Sequence, residues 1–341
     1  DGGNCGAMPA AVSGKAVELT ETDSISYRGG SCQIRLPPLS KMMVTICAIW
    51  ERAPWRAFTW DGVTEEMSGI GLDTRPIGVF DSGLGGLTAV RELCRLLPGE
   101  EIVYFGDTGR VPYGSRSRET IVRYARQDVA FLRQFDLKAV VIACGTVSTT
   151  ALEVLTEENA LPILGVVAPA ARAAARRTRS GRIGLIGTQA SIRSGAYEKW
   201  IHQERPEAQV FAQACPLFVP LVENGRTRPG DVVIETVAAE YLAPLQAAEV
   251  DTLVLGCTHY PLLEAVIRSI MGPGVDLINA GTEGARAVAE LLRERGALAP
   301  QDAQGGCRYF VSDHVEDFAR LASLFLGWDV TGAVGQVDID L

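Results

Sequence analysis

Short apolar runs rich in β-branched residues alternate with longer segments of helical periodicity along most of this chain. Runs of this kind predict buried strands, and the longer segments predict helices. Strands that alternate with helices form βαβ units, in which neighbouring strands are parallel. The predicted strands are Ile77–Phe80, Glu101–Phe105, Ala139–Ala143, Ile163–Val167, Arg182–Ile186, Val210–Gln213, Thr252–Leu255 and Val275–Ile278. The predicted helices include Leu87–Leu97, Ser117–Gln134, Pro169–Arg177 and Asp231–Leu245. The sequence therefore predicts an α/β fold with parallel sheets.

The chain is long enough for two domains, since it has 341 residues. Ala168 and Pro169 precede an Ala- and Arg-rich helix and mark the entry into a second domain, whereas Asn279 to Gly281 mark the return. We therefore predict two doubly wound α/β domains, the first formed by residues 76–169 and 280–341 and the second by residues 170–279. A cleft between two such domains is the expected place for an active site.

Residues 1–75 differ from the rest because they show no helical or strand periodicity of useful length. An apolar run from Met42 to Trp50 lacks the small-residue cleavage pattern of a secretory signal. The segment also holds Trp55, Trp60, Cys5, Cys32 and Cys47. Two interpretations remain open: an N-terminal extension that is disordered, or a stretch upstream of the natural start, with Met67 as the initiator.

Charge and cysteine usage exclude several classes of partner. The net charge is -9, so the phosphates of a nucleic acid would be repelled. No apolar stretch approaches the length of a membrane span, and we expect no membrane partner. The eight cysteines are scattered without dense spacing, a usage typical of reduced thiols in a cytoplasmic protein.

Metal and cofactor sites also lack support in the sequence. The only histidines are His202, His259 and His314, and no two cysteines have C-x-x-C spacing. We therefore expect no metal site and no cofactor.

Two cysteines occur in one repeated local pattern, each at the end of an apolar run and before small hydroxyl residues. The two segments are KAVVIACGT, which contains Cys144, and DTLVLGCTH, which contains Cys257. Ligands bind beyond the carboxyl ends of parallel strands, so both thiols are expected at a binding site. A single cysteine in such a place is more often a buried core residue. The repetition favours catalysis, by two acid/base groups on opposite faces of one carbon.

Loops after other strands carry further polar groups. Asp81 and Ser82 lie between a strand and a helix, where free backbone N–H groups can hold a carboxylate. Asp81 is interpreted as the partner of an ammonium group or as a helix cap. Pro112 to Gly114 form a rigid turn, and Glu223 precedes a turn and is by default a solvated charge.

Five segments in order resemble the glutamate racemase family of the cofactor-independent aspartate/glutamate racemases. They are FDSGLGGLT, YFGDTGRVPYG, VIACGT, PLVENG and LGCTHYP. The resemblance extends from about Pro76 to the C-terminal RYFVSDHVEDFARLASLFLG, and residues before Pro76 have no counterpart in it.

The resemblance implies two α/β domains, a homodimer, and the interconversion of L- and D-glutamate without a cofactor, which supplies D-glutamate for peptidoglycan. It implies that Cys144 removes the α-proton of the D-enantiomer and Cys257 that of the L-enantiomer, assisted by Asp81 and His259. The positions that match the family's substrate contacts are Ser82, Pro112, Tyr113, Gly114, Gly145, Thr146, Glu223 and Thr258.

Two departures from the family pattern leave the substrate open. Gly145 stands where asparagine is usual, so an amide contact is lost or room is left for a backbone or water contact. Asn279 and Ala280 stand where an Asp-Ser pair is more usual. The alternatives are an aspartate racemase or a related amino-acid racemase, or a catalytically silent amino-acid-binding protein on the same fold.

Overall fold

The computed structural model describes residues 73–339 and, before them, three short strands. These strands are β1 (Glu18–Thr20), β2 (Ser24–Ser26) and β3 (Ile34–Arg35), and they pair as an antiparallel sheet. Each is too short to give the alternation on which strand prediction depends. Met67 and the tryptophans before it lie outside the described residues, so both interpretations of residues 1–75 stay predictions.

Contacts divide the chain into one compact unit, Asp1–Gly69, and a second, Ile70–Leu341. The strands of the second unit are β4 (Ile77–Asp81), β5 (Ile102–Gly106), β6 (Ala139–Ile142), β7 (Ile163–Gly165), β8 (Arg182–Gly187), β9 (Gln209–Ala214), β10 (Thr252–Leu255), β11 (Asp276–Asn279), β12 (Cys307–Val311) and β13 (Val334–Gln336). Its helices are α1 (Leu87–Leu96), α2 (Arg118–Leu132), α3 (Gly145–Thr150), α4 (Leu152–Glu158), α5 (Val167–Arg177), α6 (Gln189–Arg193), α7 (Ala196–Glu204), α8 (Phe218–Glu223), α9 (Val232–Ala247), α10 (Glu264–Met271), α11 (Ala280–Glu294) and α12 (Val315–Leu326). Short 3-10 turns occupy Tyr113–Ser115 and Tyr260–Leu263.

Two parallel sheets organise this unit. The larger has the strand order β13-β12-β5-β4-β6-β7, and the smaller has the order β11-β10-β8-β9. Every neighbouring pair in both sheets is parallel. The strands and helices predicted from the sequence are all present, to within two residues at each end. The predicted α/β fold with parallel sheets is therefore confirmed.

The central strands of both sheets are buried, which explains why they are continuous apolar runs rather than alternating ones. All five residues of β4 are buried, and so are all five of β5. Helix α1 packs on the larger sheet with Leu87, Val90 and Leu93 turned inward.

No helix in the described part of the chain is long and apolar enough to cross a membrane.

The chain crosses between the sheets twice. Helix α5 follows β7 of the larger sheet and leads to β8 of the smaller, and α11 leads back and packs against both α1 and α5. Asn279 begins this return, because its side-chain oxygen accepts hydrogen bonds from the N–H groups of Gly281 and Thr282, at 2.9 and 3.3 Å. Asparagine thus caps α11 as an aspartate would. Since contacts leave Ile70–Leu341 as one compact unit, the predicted domains 76–169 plus 280–341 and 170–279 stay a prediction.

A buried ion pair lies at the amino-terminal edge of the larger sheet. Lys138 precedes β6 and contacts the carboxylate of Glu100, which precedes β5, and the two side chains are 1% and 3% exposed. The ammonium also donates to the carbonyl oxygens of Asp73 and Ala297, at 2.6 and 2.9 Å. The remaining carboxylate oxygen of Glu100 accepts from the N–H of Ala299 at 2.8 Å. Each charge is therefore compensated by its partner and by backbone groups.

Lys138→Met is expected to lower the free energy of unfolding by about 3–5 kcal/mol, because it leaves Glu100 charged, buried and unpaired. The double variant Lys138→Met/Glu100→Gln should recover most of that loss, since it removes the uncompensated charge. Urea titrations of the wild type and both variants measure the difference. A single variant that loses less than about 1 kcal/mol would show that water reaches Glu100.

Candidate active site

Strands of both sheets end at one cavity of about 400 Å³. It lies at the carboxyl ends of β4, β6, β8 and β10, where parallel sheets bind their ligands. The lining residues are Ser82, Val111, Pro112, Tyr113, Gly114, Ser115, Cys144, Gly145, Thr146, Thr188, Gln189, Cys215, Pro216, Val219, Pro220, Glu223, Gly256, Cys257, Thr258 and His259. The structure thus brings together every predicted site residue except Asp81, which is buried next to Ser82.

Cys144 lies two residues beyond the end of β6 and is the N-cap residue of α3. It is 5% exposed, and its Sγ is 3.4 Å from the Oγ of Ser82. Burial, and then the charge of Asp81, raise the pKa of Cys144 to about 12, against the hydrogen bond with Ser82. At neutral pH this residue is therefore a protonated thiol, ready to donate a proton.

Cys257 lies at the equivalent place in the smaller sheet, two residues beyond the end of β10. Its Sγ is 3.9 Å from Nδ1 of His259, whose Nε2 lies 2.9 Å from Oε1 of Glu223. Burial lowers the pKa of His259, but the contacts with Cys257 and Glu223 outweigh burial and raise it to about 10. The imidazole is thus a cation at neutral pH, paired with the Glu223 carboxylate. A thiolate at Cys257 would face this positive charge.

Asp81 ends β4 and is 1% exposed. Its Oδ1 accepts a hydrogen bond from the N–H of Gly83 at 2.9 Å, whereas its Oδ2 has no partner among the described residues. Burial raises the pKa of Asp81, opposed first by the charge of His259. The N-cap of α1 is Gly86, so the interpretation of Asp81 as a helix cap is wrong. A carboxylate oxygen without a partner beside the cavity favours the other interpretation, an ammonium partner.

The two thiols therefore differ in their electrostatic surroundings. The charge of Asp81 favours the neutral thiol at Cys144, whereas the Sγ of Cys257 lies 3.9 Å from Nδ1 of His259. A free thiol has a pKa of ~8.5, and burial together with the charge of Asp81 raises the pKa of Cys144 above that value. Cys144 therefore holds its proton at neutral pH, whereas the group beside Cys257 is an imidazole.

Gly145 has no room for a side chain. A Cβ built at this position would lie 2.5 Å from the carbonyl oxygen of Gly256, which precedes Cys257. The sequence analysis expects glycine at this position either to remove an amide contact or to leave room for a backbone or water contact. The structure shows a close backbone contact. The thiol-bearing strand ends of the two sheets therefore approach each other closely where the family usually has asparagine.

Tyr113 forms part of the cavity wall, but its hydroxyl group is already bound. The hydroxyl donates to the carboxylate of Asp107 and lies 3.3 Å from Asp128. Arg110 contacts both acids, at 2.6 Å to Asp107 and 3.1 Å to Asp128, while burial and the charge of Asp107 raise the pKa of Asp128 well above its usual value. The phenol therefore holds the wall in place, and Gly114 beside it lines the cavity. This buried cluster was not predicted, although Asp107 follows β5 directly.

Hydroxyl groups from both sheets meet inside the cavity. The Oγ1 atoms of Thr146 and Thr188 lie 3.1 Å apart. Thr188 was missed by the sequence analysis, although it follows an apolar strand and a glycine, as Thr146 and Thr258 follow their strands and thiols. The cavity also has an apolar side formed by Pro216, Val219 and Pro220.

The lining residues include no lysine or arginine. A negatively charged ligand can therefore be held by the His259 imidazolium and by hydroxyl and backbone N–H groups, and an ammonium group can be held by Asp81. This donor set suits an amino acid, with its α-carbon between a proton donor and a proton acceptor.

Comparison with known proteins gives one consistent result. The model of the Asp/Glu/Hydantoin racemase family matches residues 81–288 of this chain. A glutamate racemase from Geobacter metallireducens is 49% identical over 266 residues, which cover 78% of this chain and 97% of that protein. A glutamate racemase from Streptococcus gordonii is 45% identical over 269 residues, which cover 79% of this chain and 100% of that protein.

Solved structures agree with the sequence comparisons. A glutamate racemase isoform from Bacillus anthracis superposes with a TM-score of 0.73 at 40% identity, covering 77% of this chain and 97% of that one. The glutamate racemase from Francisella tularensis, solved in complex with D-glutamate, gives a TM-score of 0.72 at 36% identity and covers 79% of this chain and 99% of that one.

Proposed function

The chain belongs to the Asp/Glu/Hydantoin racemase family, and from this premise we propose that it interconverts L-glutamate and D-glutamate with two cysteine thiols. The observation that carries the proposal is the pair Cys144 and Cys257. Both line one cavity at equivalent strand ends, and their charged neighbours have opposite signs. The glutamate bound in the Francisella tularensis protein supports the choice of substrate.

In the L-to-D direction, the thiolate of Cys257 removes the α-proton, and the thiol of Cys144 returns a proton to the opposite face. The C–H bond breaks as an S–H bond forms on Cys257, and the S–H bond of Cys144 breaks as the new C–H bond forms. The enzyme ends with its proton moved from one sulfur to the other, and this form accepts D-glutamate for the reverse reaction. No redox partner is needed, because no electrons leave the substrate.

Each sulfur has a charged neighbour with a role in the reaction. The His259 imidazolium stabilises the thiolate of Cys257, and Glu223 keeps that imidazole protonated. Asp81 disfavours a thiolate at Cys144 until the substrate ammonium neutralises its charge, so proton transfer is tied to a bound substrate. Hydroxyl and backbone N–H groups of the cavity stabilise the carbanionic transition state electrostatically.

The remaining roles follow from the resemblance and the cavity. Ser82, Thr146, Thr188 and Thr258 are the donors available for the substrate carboxylates. The reaction would supply D-glutamate for peptidoglycan, from a homodimer in the cytoplasm, where catalytic thiols stay reduced.

Chiral chromatography of L-glutamate, L-aspartate and a hydantoin incubated with the purified full chain tests the proposal. We expect D-glutamate to accumulate to an equal mixture of enantiomers, with or without a chelator of divalent metals. Turnover of aspartate or the hydantoin in preference to glutamate would assign another substrate within the family. No turnover of any of them would favour the catalytically silent binding protein.

Glu223→Gln is expected to lower the pKa of His259, because it removes one of the contacts that raise that pKa. A histidine whose folded-state pKa is raised stabilises the fold fully below its unfolded pKa of about 6.5 and loses that contribution as pH rises through about 10. The stability deficit of the variant should therefore be largest near pH 6 and vanish above pH 10. Near pH 6 it should amount to about 1.4 kcal/mol for each unit by which the pKa falls.

Urea titrations of the wild type and Glu223→Gln across this pH range measure the deficit. The exposed Glu240→Gln, on helix α9 away from the cavity, is the matched control and should show no such pH dependence. A deficit that stays constant from pH 6 to pH 10 would show that Glu223 does not control the charge of His259.

A further inference from the structure

Two cysteines outside the active site lie in contact with each other. Cys94 is on α1 and Cys307 is the first residue of β12, and their Sγ atoms are 3.3 Å apart. They are separated by 213 positions in the sequence, so spacing along the chain gave no sign of the pair. Both are free thiols, and the mechanism proposed above uses neither.

These two thiols are also more exposed than the other described cysteines. Cys144, Cys215 and Cys257 are buried, whereas Cys94 and Cys307 are only partly buried. A reagent in solution therefore reaches the pair more easily than it reaches the catalytic thiols. A disulfide bond is about 2.05 Å long, so the sulfurs need to close by only about 1.3 Å, a distance that small side-chain rotations supply.

We propose that Cys94 and Cys307 form an oxidation site, which a low-molecular-weight disulfide such as oxidised glutathione converts into an intramolecular disulfide. The inference does not depend on the proposed function, because its primary readout is covalent mass.

The exchange has a defined order. Hydrogen bonds from Cys94 and Tyr309 lower the pKa of Cys307, the first being the larger effect, so Cys307 supplies the attacking thiolate. This thiolate attacks one sulfur of oxidised glutathione, and the S–S bond of glutathione breaks to release one glutathione thiol. Cys94 then loses its proton and attacks the Cys307 sulfur of the mixed disulfide, which releases the second glutathione thiol. Two protein thiols and one oxidised glutathione thus yield one protein disulfide and two reduced glutathiones.

The bond would tie α1 to β12 in the larger sheet. Helix α1 begins directly after the loop that holds Asp81 and Ser82, and Gly85 of that loop packs against Thr258 and His259. A disulfide bond between Cys94 and Cys307 closes a long loop of the chain, so it should stabilise the fold, and neither cysteine lines the cavity. We therefore expect the oxidised protein to keep its racemase activity and to melt at a temperature several degrees higher.

The test uses the full chain in buffers of oxidised and reduced glutathione at set ratios, with saturating L-glutamate to protect the cavity. After acid quenching and alkylation, we expect a mass lower by two hydrogens and, after proteolysis without reductant, a linked peptide pair that contains Cys94 and Cys307. Cys94→Ser should stop at a glutathione adduct on Cys307. Cys307→Ser should remain unmodified at Cys94 under the same conditions, because it lacks the attacking thiolate.

Three results would overturn the proposal. The first is the absence of a linked peptide at the most oxidising ratio. The second is a glutathione adduct that persists on Cys307 of the wild type. The third is oxidation of Cys144 or Cys257 before the pair.

Discussion

Cys144→Ala and Cys257→Ala are each expected to lose at least ~10³-fold in racemisation rate, in both directions. Each direction requires one sulfur to remove the α-proton and the other to return it, so neither variant can complete a turnover. Serine replacements should be nearly as inactive, because a hydroxyl group is a much weaker acid than a thiol. Circular dichroism or chiral chromatography of each enantiomer measures the loss.

The two variants should differ in isotope exchange. Cys257→Ala keeps Cys144, which faces the D-enantiomer, so it should slowly exchange the α-proton of D-glutamate with solvent deuterium. Cys144→Ala should exchange only the α-proton of L-glutamate, for the same reason. Mass spectrometry of each enantiomer in deuterium oxide separates the two patterns. Identical exchange of both enantiomers by either variant would contradict the assignment of one sulfur to each face.

Cys215→Ala is the matched control for both. Cys215 also lines the cavity and is buried, but its thiol donates only to the carbonyl oxygen of Gln213, at 3.7 Å. No imidazole or carboxylate among the described residues contacts it, so we expect its removal to leave the racemisation rate within about threefold of wild type. If Cys144→Ala or Cys257→Ala behaves like Cys215→Ala, that cysteine is a packing residue.

Gly145→Ala is expected to lower kcat by about 100-fold, because a displacement of about 1 Å in a catalytic site has an effect of this size. The added Cβ would lie 2.5 Å from the carbonyl oxygen of Gly256, and a backbone atom cannot move aside as a flexible side chain can. The thiol-bearing strand ends must therefore separate. Gly145→Asn should be at least as impaired, even though its amide resembles the family's usual residue.

Steady-state kinetics on L- and D-glutamate test this expectation. Gly274→Ala is a suitable control, since a Cβ at that exposed position meets nothing within 4 Å. If Gly145→Asn instead lowers KM and keeps kcat, the two strand ends tolerate a side chain between them, and the missing amide weakens substrate binding.

Much of this fold was predictable because the central strands of its sheets are buried. All four residues of β6, AVVI, are buried, and that environment requires an apolar sequence. The helices were equally clear, since α1 and α11 each turn one apolar face to a sheet. The strands β1 to β3 were not predicted, because two or three residues give no periodicity.

The positions of the two candidate catalytic cysteines could also be predicted from local sequence patterns. Cys144 and Cys257 each follow a strand by two residues, and parallel strands of one sheet present their carboxyl ends on one edge. The contacts among the site residues could not be predicted from such patterns. Glu223 and His259 are 36 positions apart, and nothing in either segment indicates that the carboxylate reaches Nε2.

The sequence by itself determined the strands β4 to β11, the alternation of strands with helices, the α/β class, and the strand ends at which the thiols lie, because these depend on local hydrophobic patterns and turn residues. Only the tertiary structure decided which groups surround each sulfur. Asp81 next to Cys144, the Glu223–His259 pair next to Cys257 and the close approach of Gly145 to Gly256 all join segments that are remote in the chain. Burial and charge depend on distances in space, and those distances arise only when the two sheets pack around one cavity.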